Sequence, residues 1–119
     1  MTTNAVIEAG VQPEPAGDPV LKRAVERLVA ALRPSRIYLF GSHARGDATI
    51  DSDYDFMVVV DQRVGTGREM ERQAYHALSG LGIAKDVVII TSARFDWLRA
   101  AAASLPSTVE REGHLLYAA

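Results

Sequence analysis

An α/β domain built on a mixed sheet of three or four strands flanked by helices is what this 119-residue sequence predicts. Three observations carry the prediction. Segments of helical period alternate with short runs rich in β-branched and aromatic residues, the pattern of a domain folded around one sheet. A Gly41-Ser42 turn closes the first of those runs and an Asp-x-Asp pair opens the second. The amphipathic stretch between the second and third runs has the length of a crossover helix, which makes those two strands parallel.

Residues 1–17 show no period and end in QPEPAG, a composition that favours a flexible N-terminal arm, so the domain is expected over 18–119. Asp18-Pro19 is an N-cap followed by proline at the first helical position. Leu21, Ala24, Val25, Leu28 and Leu32 then recur at helical spacing, and the helix should stop at Arg33, before Pro34. RIYLF from Arg36 reads as a strand running into the tight turn at Gly41, and DYDFMVVV as a second strand. Met70, Ala74, Ala77, Leu78 and Leu81 fall on one face of a helix from Arg68 to Gly80. DVVIIT from Asp86 is apolar on both faces and reads as a central strand. Ser92 can cap a helix bearing Phe95, Leu98, Ala102 and Leu105, with Ala100 to Ala103 as helix filler; Pro106 restarts a helical turn that Gly113 ends. HLLY can form only an edge strand.

A hydrophobic content of 48% suits one core, and the chain is too short for two. Fifteen acids against thirteen bases leave a net charge of −2, which gives no broad attraction to nucleic acid or anionic membrane. The absence of cysteine excludes disulfides and thiolate zinc sites and suits a reducing compartment. Glu8 interrupts any apolar leader, and no run approaches the roughly 18–20 apolar residues of a membrane span. A cytoplasmic protein with no membrane and no direct nucleic-acid contact is expected.

Carboxylates are costly to desolvate, so an acidic opening to an apolar strand needs solvent at that end or a cation. Strand alternation puts Asp53 and Asp55 on one face, about 6–7 Å apart along the backbone. If the first two strands pair antiparallel, Gly41-Ser42 lands beside them, and a parallel third strand brings Asp86 to the same sheet end. Three acids then converge on a glycine turn, the inventory of a hard cation such as Mg²⁺ held by carboxylates and substrate phosphates. Gly41 would let backbone approach a phosphate, and Ser42 would donate to it. Arg45 either reaches the phosphates or braces the loop by pairing with Asp47 or Asp51. Asp51 reads as a solvated turn residue. His43, His76 and His114 lack metal-ligand spacing, and Trp97 and the tyrosines fit packing better than base stacking.

Gly41-Ser42, ten residues, Asp53-x-Asp55 and a later strand-borne Asp86 resemble the polymerase-β-type nucleotidyltransferase superfamily. More narrowly, GSHARG, SDYDFMVVV, DVVII and EREGHLLY resemble the minimal nucleotidyltransferase (MNT) antitoxins, partners of HEPN-domain toxins, over about Pro19 to Tyr117. The resemblance implies a small nucleotidyltransferase fold and Mg²⁺-dependent transfer of AMP from ATP. It makes Asp53, Asp55 and Asp86 catalytic metal ligands of a two-metal site, with Gly41, Ser42 and Arg45 on the nucleotide. It also implies a hetero-oligomer with a HEPN toxin whose tyrosine is adenylylated, as in type VII toxin-antitoxin pairs. Two other functions compete: a catalytically idle antitoxin that neutralises by binding, and a small-molecule nucleotidyltransferase of aminoglycoside-modifying type. A further acceptor domain, usual in the latter, has no residues left to form it. A polymerase fragment fits neither the acidic balance nor the absence of a template-binding region.

Overall fold

Asp18 begins the described chain, its carboxylate accepting the Val20 N–H at 2.9 Å while Pro19 takes the first position of α1 (Pro19–Leu32). The computed structural model describes residues 18–65 and 68–119; the expected arm, 1–17, lies outside them, as does Gly67 of the following loop. The helix ends at Leu32, one residue short of expectation, because Arg33 turns left-handed at φ 49° and returns its N–H to Val29 O. β1 (Arg36–Phe40), α2 (Ser42–Arg45), β2 (Tyr54–Val60), α3 (Glu69–Leu78), β3 (Lys85–Thr91), α4 (Ser92–Leu98), α5 (Leu105–Glu112) and β4 (His114–Ala118) follow.

The sheet is mixed, four-stranded and flanked by helices, in the order β3-β2-β1-β4. β1 is antiparallel to β2 and to β4, and β2 and β3 are parallel, joined by α3. β4 is an edge strand, as HLLY suggested. β3 is the other edge and not a central strand. Its apolar run reflects burial of both faces, with Val87 and Ile89 in the cluster shared with α1 and α3, and Ile90 packed with Phe95 of α4. Along its outer side, two backbone groups are met by side chains: Tyr75 Oη accepts the Val87 N–H at 3.0 Å, and Arg63 donates to Ile89 O at 2.6 Å.

Alternation divides the core. Leu39, Phe56, Val58 and Val60 meet Leu21, Leu28, Ala74 and Leu78 on the first face, while Tyr38, Met57 and Val59 meet Phe95 and Val109 on the second. β3 runs into α4 without a loop, so Thr91 and not Ser92 is the cap, its hydroxyl accepting the Arg94 N–H. Ser92 instead donates to Asp61 Oδ1 at 3.0 Å. The helix stops at Leu98, and Ala100 to Ala103 form turns, not helix. Nothing there is buried to hold a further turn, and the Ser104 hydroxyl takes Leu98 O while capping α5. Leu105 is accordingly exposed, and Trp97, expected to pack, is 70% exposed with the Arg94 guanidinium over its ring. No helix among the described residues is long and apolar enough to cross a membrane.

Gly113 joins α5 to β4 where backbone approaches backbone. A Cβ there would stand 2.6 Å from Val109 O and 2.7 Å from Leu39 O. His114 Nε2 then donates to Ala44 O at 2.9 Å, tying the start of β4 to α2.

Candidate functional site

Phe40 pairs in register with Asp55, so the residue after it, Gly41, arrives beside the Asp55 side chain. The contact is close. A Cβ built on Gly41 would lie 3.1 Å from Asp55 Cγ and nearer still to Oδ2, and Gly41 adopts φ +77°, a region that side chains other than glycine rarely enter. Both facts require glycine here. Ser42 opens α2, whose first internal bonds run from Ala44 and Arg45 to Gly41 O, leaving the Ser42 and His43 amides ahead of the ladder for an outside acceptor.

Across the sheet, Asp55 is paired in register with Asp86, and parallel pairing points both side chains to the second face. Asp53 lies just before β2, exposed to solvent, two residues from Asp55. Burial is the first cause that lifts the Asp55 carboxyl above the ordinary aspartate range, followed by the negative charges of Asp86 and then Asp53; His43 and Arg45 draw it partly back. The three acids therefore share one field, with Asp55 at its centre. Asp51 is exposed in the turn and its N–H donates to Thr49 Oγ1.

Arg45 takes the bracing alternative as the chain stands, its Nε 3.3 Å from Asp47 Oδ2 with both side chains about half exposed. A pair so exposed is weak, so the guanidinium is free to exchange partners. Two neighbours carried no signal in the residue spacing. His43 stacks on Tyr54 with ring centroids 3.8 Å apart and places Nε2 3.2 Å from Ser52 O. Tyr75, on α3, reaches round the sheet edge to donate to Asp86 Oδ1 at 3.0 Å. Burial first, offset by the Val87 N–H and reinforced by Asp86, raises the Tyr75 phenol above its usual range. Tyr75 adjoins Ala74 on the apolar stripe of its helix, but only the register of β3 shows which backbone it meets. On the opposite side of α2, His43, Arg45, Tyr54, His114 and Asp18 line a cavity of about 240 Å³.

The donor set at Asp53, Asp55 and Asp86 is oxygen only, which suits a hard divalent cation and disfavours a soft one. Among the described residues no three acids, histidines or cysteines stand close enough to enclose a metal by themselves. Ligands from a bound phosphate would complete such a shell, and Mg²⁺ commonly binds that way.

A family model described as "Nucleotidyltransferase domain" matches residues 20–113. Among solved structures, the chain is similar in fold to one described as a toxin-antitoxin with AMP-PNP: 24% identity, TM-score 0.63, covering 82% of this chain and 73% of that one. It is also similar to a protein of Sulfolobus solfataricus described as a nucleotidyltransferase, at 19% identity and TM-score 0.50, covering 83% of this chain and 78% of that one. Among curated proteins, none matches.

Proposed function

The chain belongs to the nucleotidyltransferase domain family, and from that premise we propose that it is a Mg²⁺-dependent adenylyltransferase that acts as an antitoxin by moving AMP from ATP onto a tyrosine of a HEPN-domain toxin. The observation that carries this reading is Asp55, set against Gly41 on one side and in register with Asp86 on the other. A glycine turn able to take a phosphate thus stands beside two carboxylates on adjacent strands. Support for a toxin partner and for ATP comes from the similar fold whose description names a toxin-antitoxin with AMP-PNP.

In this reading the Ser42 and His43 amides and the Ser42 hydroxyl hold the phosphates, with Arg45 leaving Asp47 to join them. Asp53 and Asp55 hold the cation that accompanies the triphosphate, and Asp86 completes a second position. Bound there, Mg²⁺ would screen the phosphate charge and polarise the acceptor hydroxyl. The acceptor's proton, made more acidic by that polarisation, would pass to solvent as its oxygen attacks the α-phosphorus and the bond to pyrophosphate breaks. Burial first, and then the charges of Asp86 and Asp53, raise the Asp55 carboxyl, and a cation would offset both costs of its ionised form.

Neutralisation by binding alone is the second reading: transfer needs a cation and a bound phosphate to complete its shell, whereas occlusion needs neither. Co-expression with the toxin separates the two. Intact-mass spectrometry should find one or more adenylyl additions on a toxin tyrosine, and a silenced but unmodified toxin would leave only occlusion. Asp86→Asn should keep MgATP binding near the wild-type level in calorimetry while label transfer from α-labelled ATP falls steeply. Asp53→Asn and Asp55→Asn should each remove the Mg²⁺-dependent thermal stabilisation by ATP.

A further inference from the structure

Tyr75 crosses from the first face of the sheet, where α3 packs, to the free edge of β3, and its hydroxyl makes two bonds there. It accepts the Val87 N–H at 3.0 Å and donates to Asp86 Oδ1 at 3.0 Å. We infer that Tyr75 is a positioning residue for Asp86, tying the carboxylate to the backbone of its own strand so that it is presented to a cation in one orientation, Oδ2 foremost. The inference rests on the nucleotidyl-transfer reading above, in which Asp86 is the third ligand.

Asp86 is exposed at a strand end, and an unrestrained aspartate there samples several rotamers, each of which must be given up when a cation is bound. A phenol anchored by a backbone N–H is a rigid donor, because the ring has only two torsions and its oxygen is already fixed from the other side. Donation to Oδ1 uses one of that oxygen's lone pairs and restrains the plane of the carboxylate, which favours Oδ2 as the ligand. Carboxylates that bind metals are commonly held by such outer hydrogen bonds, and losing one costs about 10–100-fold in metal affinity. Asp53 has no counterpart among the described bonds, consistent with a division in which the cation escorting the triphosphate is held by the two acids of β2's start and the second cation depends on Asp86.

Tyr75→Phe keeps the ring and removes the hydroxyl; the Val87 N–H then turns to water at a strand edge that is already partly exposed, so the fold should persist. The test is Mn²⁺ titration followed by electron paramagnetic resonance in the presence of AMP-PNP, which supports binding without turnover. Wild-type protein should take up two ions. Tyr75→Phe should weaken the second about tenfold and leave the first unchanged. Asp86→Asn should weaken the second at least as much, and the double variant should be no weaker than Asp86→Asn alone, because the tyrosine acts through that carboxylate. An unchanged second affinity in Tyr75→Phe overturns the inference. So does a further loss in the double variant, the mark of a general structural effect. Failure of the wild type to bind a second ion would instead overturn the two-cation reading on which the inference rests.

Discussion

Helices of fourteen and ten residues, α1 and α3, lie against the sheet face that carries Leu39, Phe56 and Val58, whereas the opposite face receives α4 and α5, of seven and eight residues. The long pair covers its face along the strands. The short pair packs Phe95 and Val109 against Tyr38, Met57, Val59 and Ile90, and Asp55 and Asp86 lie on this same face at the strand starts, with Asp53 just ahead of β2. An acidic opening to a core strand is tolerated because cover on that side runs out, leaving solvent to meet the charge. Folding energy is concentrated on one face, and the proposed site lies on the margin of the other.

Substitutions should separate the two. Phe56→Ala, in the centre of the heavily covered face and fully buried, should cost about 3–5 kcal/mol in chemical denaturation. A loss near zero would erase the contrast between the faces. Gly41→Ala should cost roughly 1 kcal/mol or more, from left-handed backbone and from displacing the Asp55 carboxylate. The same substitution should abolish thermal stabilisation by AMP-PNP with Mg²⁺, an effect Phe56→Ala should not share at temperatures where it is folded.

Asp55→Asn should have the smallest effect on the fold and the opposite sign. A carboxyl raised above its unfolded value binds its proton more tightly in the native state, so native stability is lost as pH rises through the folded-state pKa. Without divalent cation, Asp55→Asn should therefore melt slightly above the wild type at neutral pH. The gap should close as pH falls below the carboxylate range, and melting curves from pH 7 to pH 3 check it. A gap that widens on acidification would mean that Asp55 is stabilised as an anion and that the acids do not repel.

Local chemistry made some of these features legible and hid others. Asp18-Pro19 announced α1 because a cap and a proline act within a few residues, and the Gly41 to Asp55 arrangement followed from strand alternation plus one antiparallel pairing. The position of β3 was hidden because an apolar run reports how many faces of a strand are covered, not how many strands flank it. Val87, Ile89 and Ile90 are buried by helices, while the edge is met by Tyr75 and Arg63 from distant segments. Trp97 was misplaced for a related reason: a helix of seven residues buries Phe95 and has no second partner for the next large ring. The Arg45–Asp47 pair could be named as an alternative because it spans two residues, but the choice between it and a phosphate depends on a bound anion.

The close approach at Gly113 bears on portability. The residues proposed to carry the chemistry cluster between Phe40 and Val60 and at Asp86, which invites treating them as a cassette that could be moved into another scaffold. Their seat is assembled elsewhere. Gly113 lets the end of α5 settle on Leu39 O, His114 takes Ala44 O across a separation of 70 residues, and β4 flanks the strand that leads into Gly41. A graft confined to residues 36–91 would carry Asp53, Asp55 and Asp86 and lose the contacts that seat the Gly41 loop beside them. The smallest transferable unit is therefore most of the domain, and a side chain introduced at Gly113 would press on Leu39, two residues ahead of Gly41 in the strand that leads into it.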